Sequence, residues 1–292
     1  MITQEQKQRI ADEMLRQRTL FEGSDTQFAK TLDLSHSVFS GIKNGLQRGN
    51  LDGLLQEGRW WKLGAALGIT MNAQLEWKTA KTATYVSITA QLEAAQRSQH
   101  AIIFCDDCGI GKTYTAQIYA RTHKNAIYID CGQCDNERHL IKAIAKAFGV
   151  DFVGKFKDVY ETLVVYLTSL AEPLIILDEF GDLNQTAMMR VKKLINRTKG
   201  VCGFYMIGAD GLREKMRRGI EFKKEGYAEL FDRMGNRVMD VVPKGQEERK
   251  EFLMMQALQV IKANAPEADA KAMLAKTEGR LRRVYIEVSK LR

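Results

Sequence analysis

The chain has 292 residues, 45% of them hydrophobic and 27% charged, with a net charge of +8 and a pI near 9.1. This composition suits a globular chain of one large or two to three smaller domains, and the basic excess fits a polyanionic partner. No apolar run reaches the roughly 18 residues of a membrane span, and the opening MITQEQKQRI lacks a signal peptide's apolar stretch, so no membrane association and a cytoplasmic setting are expected.

In chain order, residues 1–22 read as one helix with Ile10, Met14, Leu15 and Leu20 on an apolar stripe. Ser24-x-x-Gln27 forms a capping box for a second helix over 26–32. Ser35 caps a third, which should end at Asn44-Gly45. Phe28, Ala29, Leu34, Phe39 and Ile42 supply apolar contacts that can hold two short helices crossed. The stretch LSHSVFSGIKNG resembles the second helix of phage-repressor-like helix-turn-helix domains. That resemblance turns His36, Ser37, Ser40 and Lys43 toward a DNA groove. A small helical bundle used for protein contacts is the alternative. A further helix is expected over 51–67 with Trp60 and Trp61 buried, then a domain junction over 69–83, then a helix over 89–96.

Residues 101–113, AIIFCDDCGIGKT, place a buried strand before a turn with two glycines, then Lys112, Thr113 and a helical run. A phosphate-binding loop needs this order of parts. Glycines let backbone N–H groups curl around an anion, and the following helix adds its positive dipole end. Cys108, Gly109, Ile110, Gly111, Lys112, Thr113 and Tyr114 are therefore candidate nucleotide-binding residues. Lys112 would reach the β/γ-phosphates, and Thr113 would sit on Mg²⁺. Asp106 occupies the position where the full pattern has its first glycine. A carboxylate near phosphates is expected to weaken binding.

A second strand is expected over 126–129, helices over 140–148 and 160–170 with a short segment holding Lys155 and Lys157 between them, and a third strand ending in Asp178-Glu179. Asp178 can organise Mg²⁺ and its waters, and Glu179 can polarise the attacking water. The two motifs stand about 65 residues apart, each at a strand end, and together they point to nucleotide chemistry. A helix over 185–197 carries Arg190, Lys193 and Arg197 on one side, by default a solvated face. Strands over 203–209 and 238–242 complete an α/β layered fold with a parallel sheet. Between them a basic segment holds Arg213, Lys215, Arg217, Arg218, Lys223 and Lys224, either a solvated loop or a nucleic-acid contact. Three helices should close the chain, over 247–262, 266–276 with Pro266 in the first turn, and 280–291.

Cys105-x-x-Cys108 and Cys131-x-x-Cys134 imitate a four-thiolate zinc site. The spacing between them is long, one cysteine lies in the phosphate loop, and small apolar filling is the favoured role.

Loop, acidic strand end, five strands and C-terminal helices together resemble the AAA+ ATPases, closest to the phage Mu B transposition proteins and their IstB-like relatives. The implied fold is α/β: an AAA+ five-stranded parallel sheet core (79–243) with a C-terminal helical lid (244–292), preceded by an all-α helix-turn-helix domain (1–78). AELFDRM resembles the arginine-finger segment, which gives Arg233 that role on ATP held by a neighbouring subunit. EGRLRRV resembles the lid motif whose arginine contacts nucleotide, which gives that role to Arg282. Ala209, followed by Asp210, departs from the family's polar sensor. With Asp106, that departure predicts slow hydrolysis, stimulated by DNA and assembly.

The resemblance further implies a protein that forms ATP-dependent helical filaments on duplex DNA with little sequence preference and recruits a transposase. DNA contacts would fall first on Lys155 and Lys157, then on Arg190 and Lys193. A helicase loader of the IstB/DnaC type and a non-hydrolysing DNA-binding regulator are the alternatives.

Overall fold

The computed structural model describes residues 2–69 and 77–291. Four helices come first: α1 (Gln4–Leu20), α2 (Asp25–Thr31), α3 (His36–Gln47) and α4 (Glu57–Ala66). Reciprocal capping boxes start α1 at Thr3/Gln6 and α2 at Ser24/Gln27, and Ser35 accepts from the Val38 N–H to start α3. Ile10, Met14, Phe28, Ala29, Leu34, Phe39, Ile42 and Trp60 form the buried centre of this unit. Within it the Phe28 and Phe39 rings meet edge to face at 5.7 Å.

Two expectations need correction here. The third helix continues past Gly45, because that glycine serves close packing and not termination. A Cβ there would lie 2.6 Å from the Asn50 carbonyl oxygen. The helix expected over 51–67 begins only at Glu57, after turns that include Gly53 at φ +72°. Trp60 is buried, but Trp61 is 38% exposed. Neighbours on a helix point about 100° apart, so one core cannot take both rings. The expected junction overlaps residues 70–76, which lie outside the described residues.

The central unit runs α5 (Ala83–Ser98), β1 (Ala101–Cys105), α6 (Lys112–Thr122), β2 (Ala126–Asp130), α7 (Glu137–Ala147), α8 (Phe156–Ser169), β3 (Leu174–Asp178), α9 (Gln185–Arg197), β4 (Gly203–Gly208), α10 (Asp210–Glu221), α11 (Tyr227–Arg233) and β5 (Val238–Met239). All strand pairs are parallel, in the order β2-β3-β4-β1-β5. β3 and β4 are buried at every position, as continuous apolar runs in a doubly covered sheet must be. Alternation splits the strand residues between two cores. Phe104, Ile176 and Tyr205 pack with α5 and α6, while Ile103, Ile175 and Phe204 pack with α7, α8 and α9.

β5 is shorter than the 238–242 expected, because the Val241 and Val242 N–H groups turn to a side chain (below) instead of the ladder. The helix expected over 160–170 already starts at Phe156, so Lys155 becomes its N-cap residue and Lys157 lies in its first turn. The basic segment is mostly helical: Arg213, Lys215, Arg217 and Arg218 lie on α10. Arg217 and Arg218 pair with Glu214, and Lys215 donates to the Gly181 and Leu183 carbonyls. Those charges are used within the chain.

The C-terminal helices are α12 (Gln246–Asn264), α13 (Ala270–Thr277) and α14 (Leu281–Ser289). Pro266 lies outside α13, which Asp269 caps by accepting from the Lys271 and Ala272 N–H groups. Ala257, Ile261, Val284 and Val288 form their core, joined by Trp77 and Ala80. The first four helices dock on the central unit through Arg16 to the Arg121 carbonyl, Lys146 to Asp33, and Asn125 to Glu22.

Candidate nucleotide site

The loop joining β1 to α6 lies at the carboxyl end of the sheet, where β1 is flanked by β4 and β5. Crevices of this kind are where parallel α/β sheets bind ligands. Gly109 (φ +78°) and Gly111 (φ +100°) hold left-handed backbone that other residues take only with strain. A Cβ at Gly109 would meet nothing within 4 Å, so the cradle is open. Cys108, Gly109 and Thr113 are exposed there, Gly111 and Tyr114 half-buried, and Ile110 buried beneath. Lys112 is buried, and its Nζ donates to the Asp106 and Asp107 carbonyls at 2.8 and 2.7 Å. The Tyr114 hydroxyl lies 2.6 Å from Thr79 Oγ1.

Asp106 does not do what its position in the motif suggests. Its carboxylate turns away from the cradle and is only 4% exposed. Oδ2 accepts from the Val241 and Val242 N–H groups at 2.6 and 2.9 Å, and Oδ1 from the Asp107 N–H at 2.8 Å. This carboxylate ties the loop to the chain leaving β5. The next residue continues the pattern, since Asp107 pairs with Arg249 of α12 at 2.7 Å.

At the end of β3, Asp178 is 2% exposed. Its Oδ2 accepts from the Tyr128 hydroxyl at 2.9 Å and its Oδ1 from the Glu179 N–H at 3.0 Å. Glu179 is exposed and turns the corner at φ +48°, an uncommon conformation for a non-glycine residue that concentrates at functional sites. Desolvation, then the neighbouring Asp178 and Asp182, hold its carboxyl above the usual glutamate range, while Lys112 opposes them. Burial, then Asp178, pushes the Tyr128 phenol up, so it stays an O–H donor. An open anion cradle, a buried lysine and a fixed carboxylate beside a base fit a magnesium nucleotide. Thr113 and Asp178 would hold the metal.

The cysteines do not gather. β1 and β2 are separated by β4 and β3, which puts Cys105 and Cys131 roughly three strand spacings apart, about 14 Å. Burial pushes the Cys105 thiol up to about 12, away from the thiolate a metal requires.

The basic residues divide. Lys155 and Lys157 are exposed. A cleft of about 480 Å³ between α8 and α9 is lined by Lys157, Arg190, Lys193 and Arg197 with Phe156 and Tyr160. Arg190 bonds Glu137 at 2.6 Å and lies over the Phe156 and Tyr160 rings at 5.0 and 5.5 Å. Arg197 is bidentate to Glu161. Lys157 and Lys193 have no salt bridge among the described residues. On α3, His36, Ser37 and Lys43 are exposed and Ser40 is half-buried. Lys43 lies 3.6 Å from Asp25, and the Ser37 hydroxyl meets that of Ser35.

Comparison with known proteins matches residues 92–216 to the family described as AAA domain. Over 155 residues the chain is 26% identical to the Mu-like prophage FluMu DNA transposition protein B of Haemophilus influenzae. Residues 92–216 thus resemble an AAA domain, and the chain is similar to a Mu-like transposition protein B. The match covers 53% of this chain and 53% of that relative, so it spans about half the relative's length. The Aeropyrum pernix ORC2 protein, solved as ADPNP and ADP complexes, shares the fold at a TM-score of 0.52 and 14% identity, over 74% of this chain and 64% of that one.

The remaining candidates lie around the loop and on α11. Leu281, at the start of α14, stands 3.7 Å from where a Cβ on Gly111 would be, so this helix begins over the phosphate loop. Arg282 follows it and is exposed. Arg233 ends α11 and donates to Asn196 Oδ1 at 2.8 Å, with its side chain 40% exposed. Ala209 follows β4, and Asp210 points its carboxylate toward Arg213 at 3.8 Å. Tyr128, the Asp106 tether and Arg249 were not foreseen. Their partners are distant in the chain, and no local pattern marks them.

Proposed function

We propose that this chain is an ATPase that binds duplex DNA in its ATP-bound state, assembles on it as a helical filament, marks a transposition target and recruits a transposase. ATP hydrolysis drives disassembly. The observation that carries the reading is the convergence of the open glycine cradle, Lys112 and the buried Asp178 beside Glu179 at one end of the sheet.

In this reading Lys112 leaves the two loop carbonyls to meet the β/γ-phosphates, and backbone N–H groups from Cys108 to Tyr114 surround them. Magnesium supplies charge neutralisation and orientation of the phosphates. Asp178 and the Thr113 hydroxyl hold it, and Glu179 takes a proton from the attacking water. Arg282 contacts the nucleotide from the lid. Arg233 acts across a subunit boundary, so turnover requires assembly. The units 1–78, 79–243 and 244–292 serve as DNA-binding helix-turn-helix, ATPase core and lid. His36, Ser37, Ser40 and Lys43 face DNA from the first, and Lys155, Lys157, Arg190 and Lys193 line the filament's inner surface. These contacts meet phosphates, which predicts little sequence preference. No described helix is long and apolar enough to cross a membrane.

Electron microscopy and sedimentation with a duplex, with and without ATP, test the whole reading. The parent should coat DNA only with ATP, and Lys112→Ala should lose at least tenfold in coating. Equal coating by Lys112→Ala without nucleotide overturns it.

A further inference from the structure

Resting on the nucleotide-site reading, we infer that Tyr128 is a positioning residue for the metal-holding carboxylate. Tyr128 lies on β2, paired to β3 in register two residues before Asp130 meets Asp178. Its ring is half-buried, and its hydroxyl reaches along the strands to Asp178 Oδ2 at 2.9 Å. The other oxygen is fixed by the Glu179 N–H at 3.0 Å. Two donors therefore fix the carboxylate plane, one on each oxygen. Each carboxylate oxygen keeps a further lone pair for a metal or its waters.

Nothing in the resemblance to AAA+ proteins pointed to Tyr128, and its role follows from the contact alone. Outer partners of metal-holding carboxylates matter in this way because they fix orientation before the metal arrives, and their loss typically lowers metal affinity about ten- to a hundredfold.

The test uses the full chain, a fluorescent ATP analogue, and binding measured in EDTA and across a magnesium titration. Tyr128→Phe removes one oxygen and keeps the ring. It should bind the analogue in EDTA within about twofold of the parent, while the magnesium concentration for half-maximal effect rises about tenfold. A merely structural role for Tyr128 would move the EDTA affinity and the magnesium midpoint together.

Superimposable magnesium curves overturn the inference while leaving the nucleotide site intact. A lower magnesium requirement in Tyr128→Phe overturns it too, because the hydroxyl would then be competing with the metal. An equal loss with and without magnesium does the same. A parent whose binding ignores magnesium overturns both this inference and the reading beneath it.

Discussion

At the carboxyl ends of β1 and β3, charged side chains are bonded back onto the chain. Asp106 takes three N–H groups, Lys112 two carbonyls, and Asp178 a phenol and an N–H. Along α3 and the α8–α9 cleft, His36, Lys157 and Lys193 stand in solvent, while Lys43 lies near Asp25 and the cleft arginines are paired with glutamates. A buried charge in low dielectric needs fixed partners, and those partners also fix its geometry. An exposed lysine needs none, keeps its mobility, and acts through a field that salt screens. The first region can therefore set the geometry of a reaction, while the second can supply adjustable affinity for a polyanion.

The sharpest way to break this contrast is at Glu179, the one exposed acid among the inward-bonded groups. Glu179→Gln should lower hydrolysis about 10²- to 10⁴-fold with nucleotide binding retained, read by phosphate release beside equilibrium binding. The pH profile carries the same information. Because the Glu179 carboxyl is held above its usual range, its basic form is lost early as pH falls. The acid limb of the parent's rate should then lie above the ordinary glutamate range.

Next comes Asp106→Gly, which restores the common phosphate-loop pattern. Loss of the carboxylate leaves the Val241 and Val242 N–H groups without their acceptor. Stability should fall by about 2–4 kcal/mol, read by denaturant unfolding, with no gain in nucleotide affinity. An improved affinity would show that the carboxylate does repel phosphate. The smallest effect belongs to the exposed region. Lys157→Ala with Lys193→Ala should leave stability within about 0.5 kcal/mol and reduce the salt slope of DNA binding by about two.

Much of this was legible from the sequence where cause and effect are close in the chain. The phosphate loop declares itself because its strand, glycines, lysine and helix are consecutive, and Asp178-Glu179 because an apolar run ends there. All five strands could be located, although the strand order could not, since it depends on which hydrophobic faces meet. The bonding of Asp106 was silent because its partner stands 135 residues away. Tyr128 was silent for the same reason, its partner standing 50 residues on. Trp61 failed differently, because hydrophobicity alone does not say which of two adjacent rings faces inward.

Two consecutive acidic residues at the mouth of the phosphate loop hold the chain at 241–242 and the first turn of α12. The attachment is short and charged, which makes it a lever. Through it the loop and the C-terminal helices are held in one fixed relation. Cutting either acid would therefore loosen the C-terminal unit from the loop as well as the loop itself.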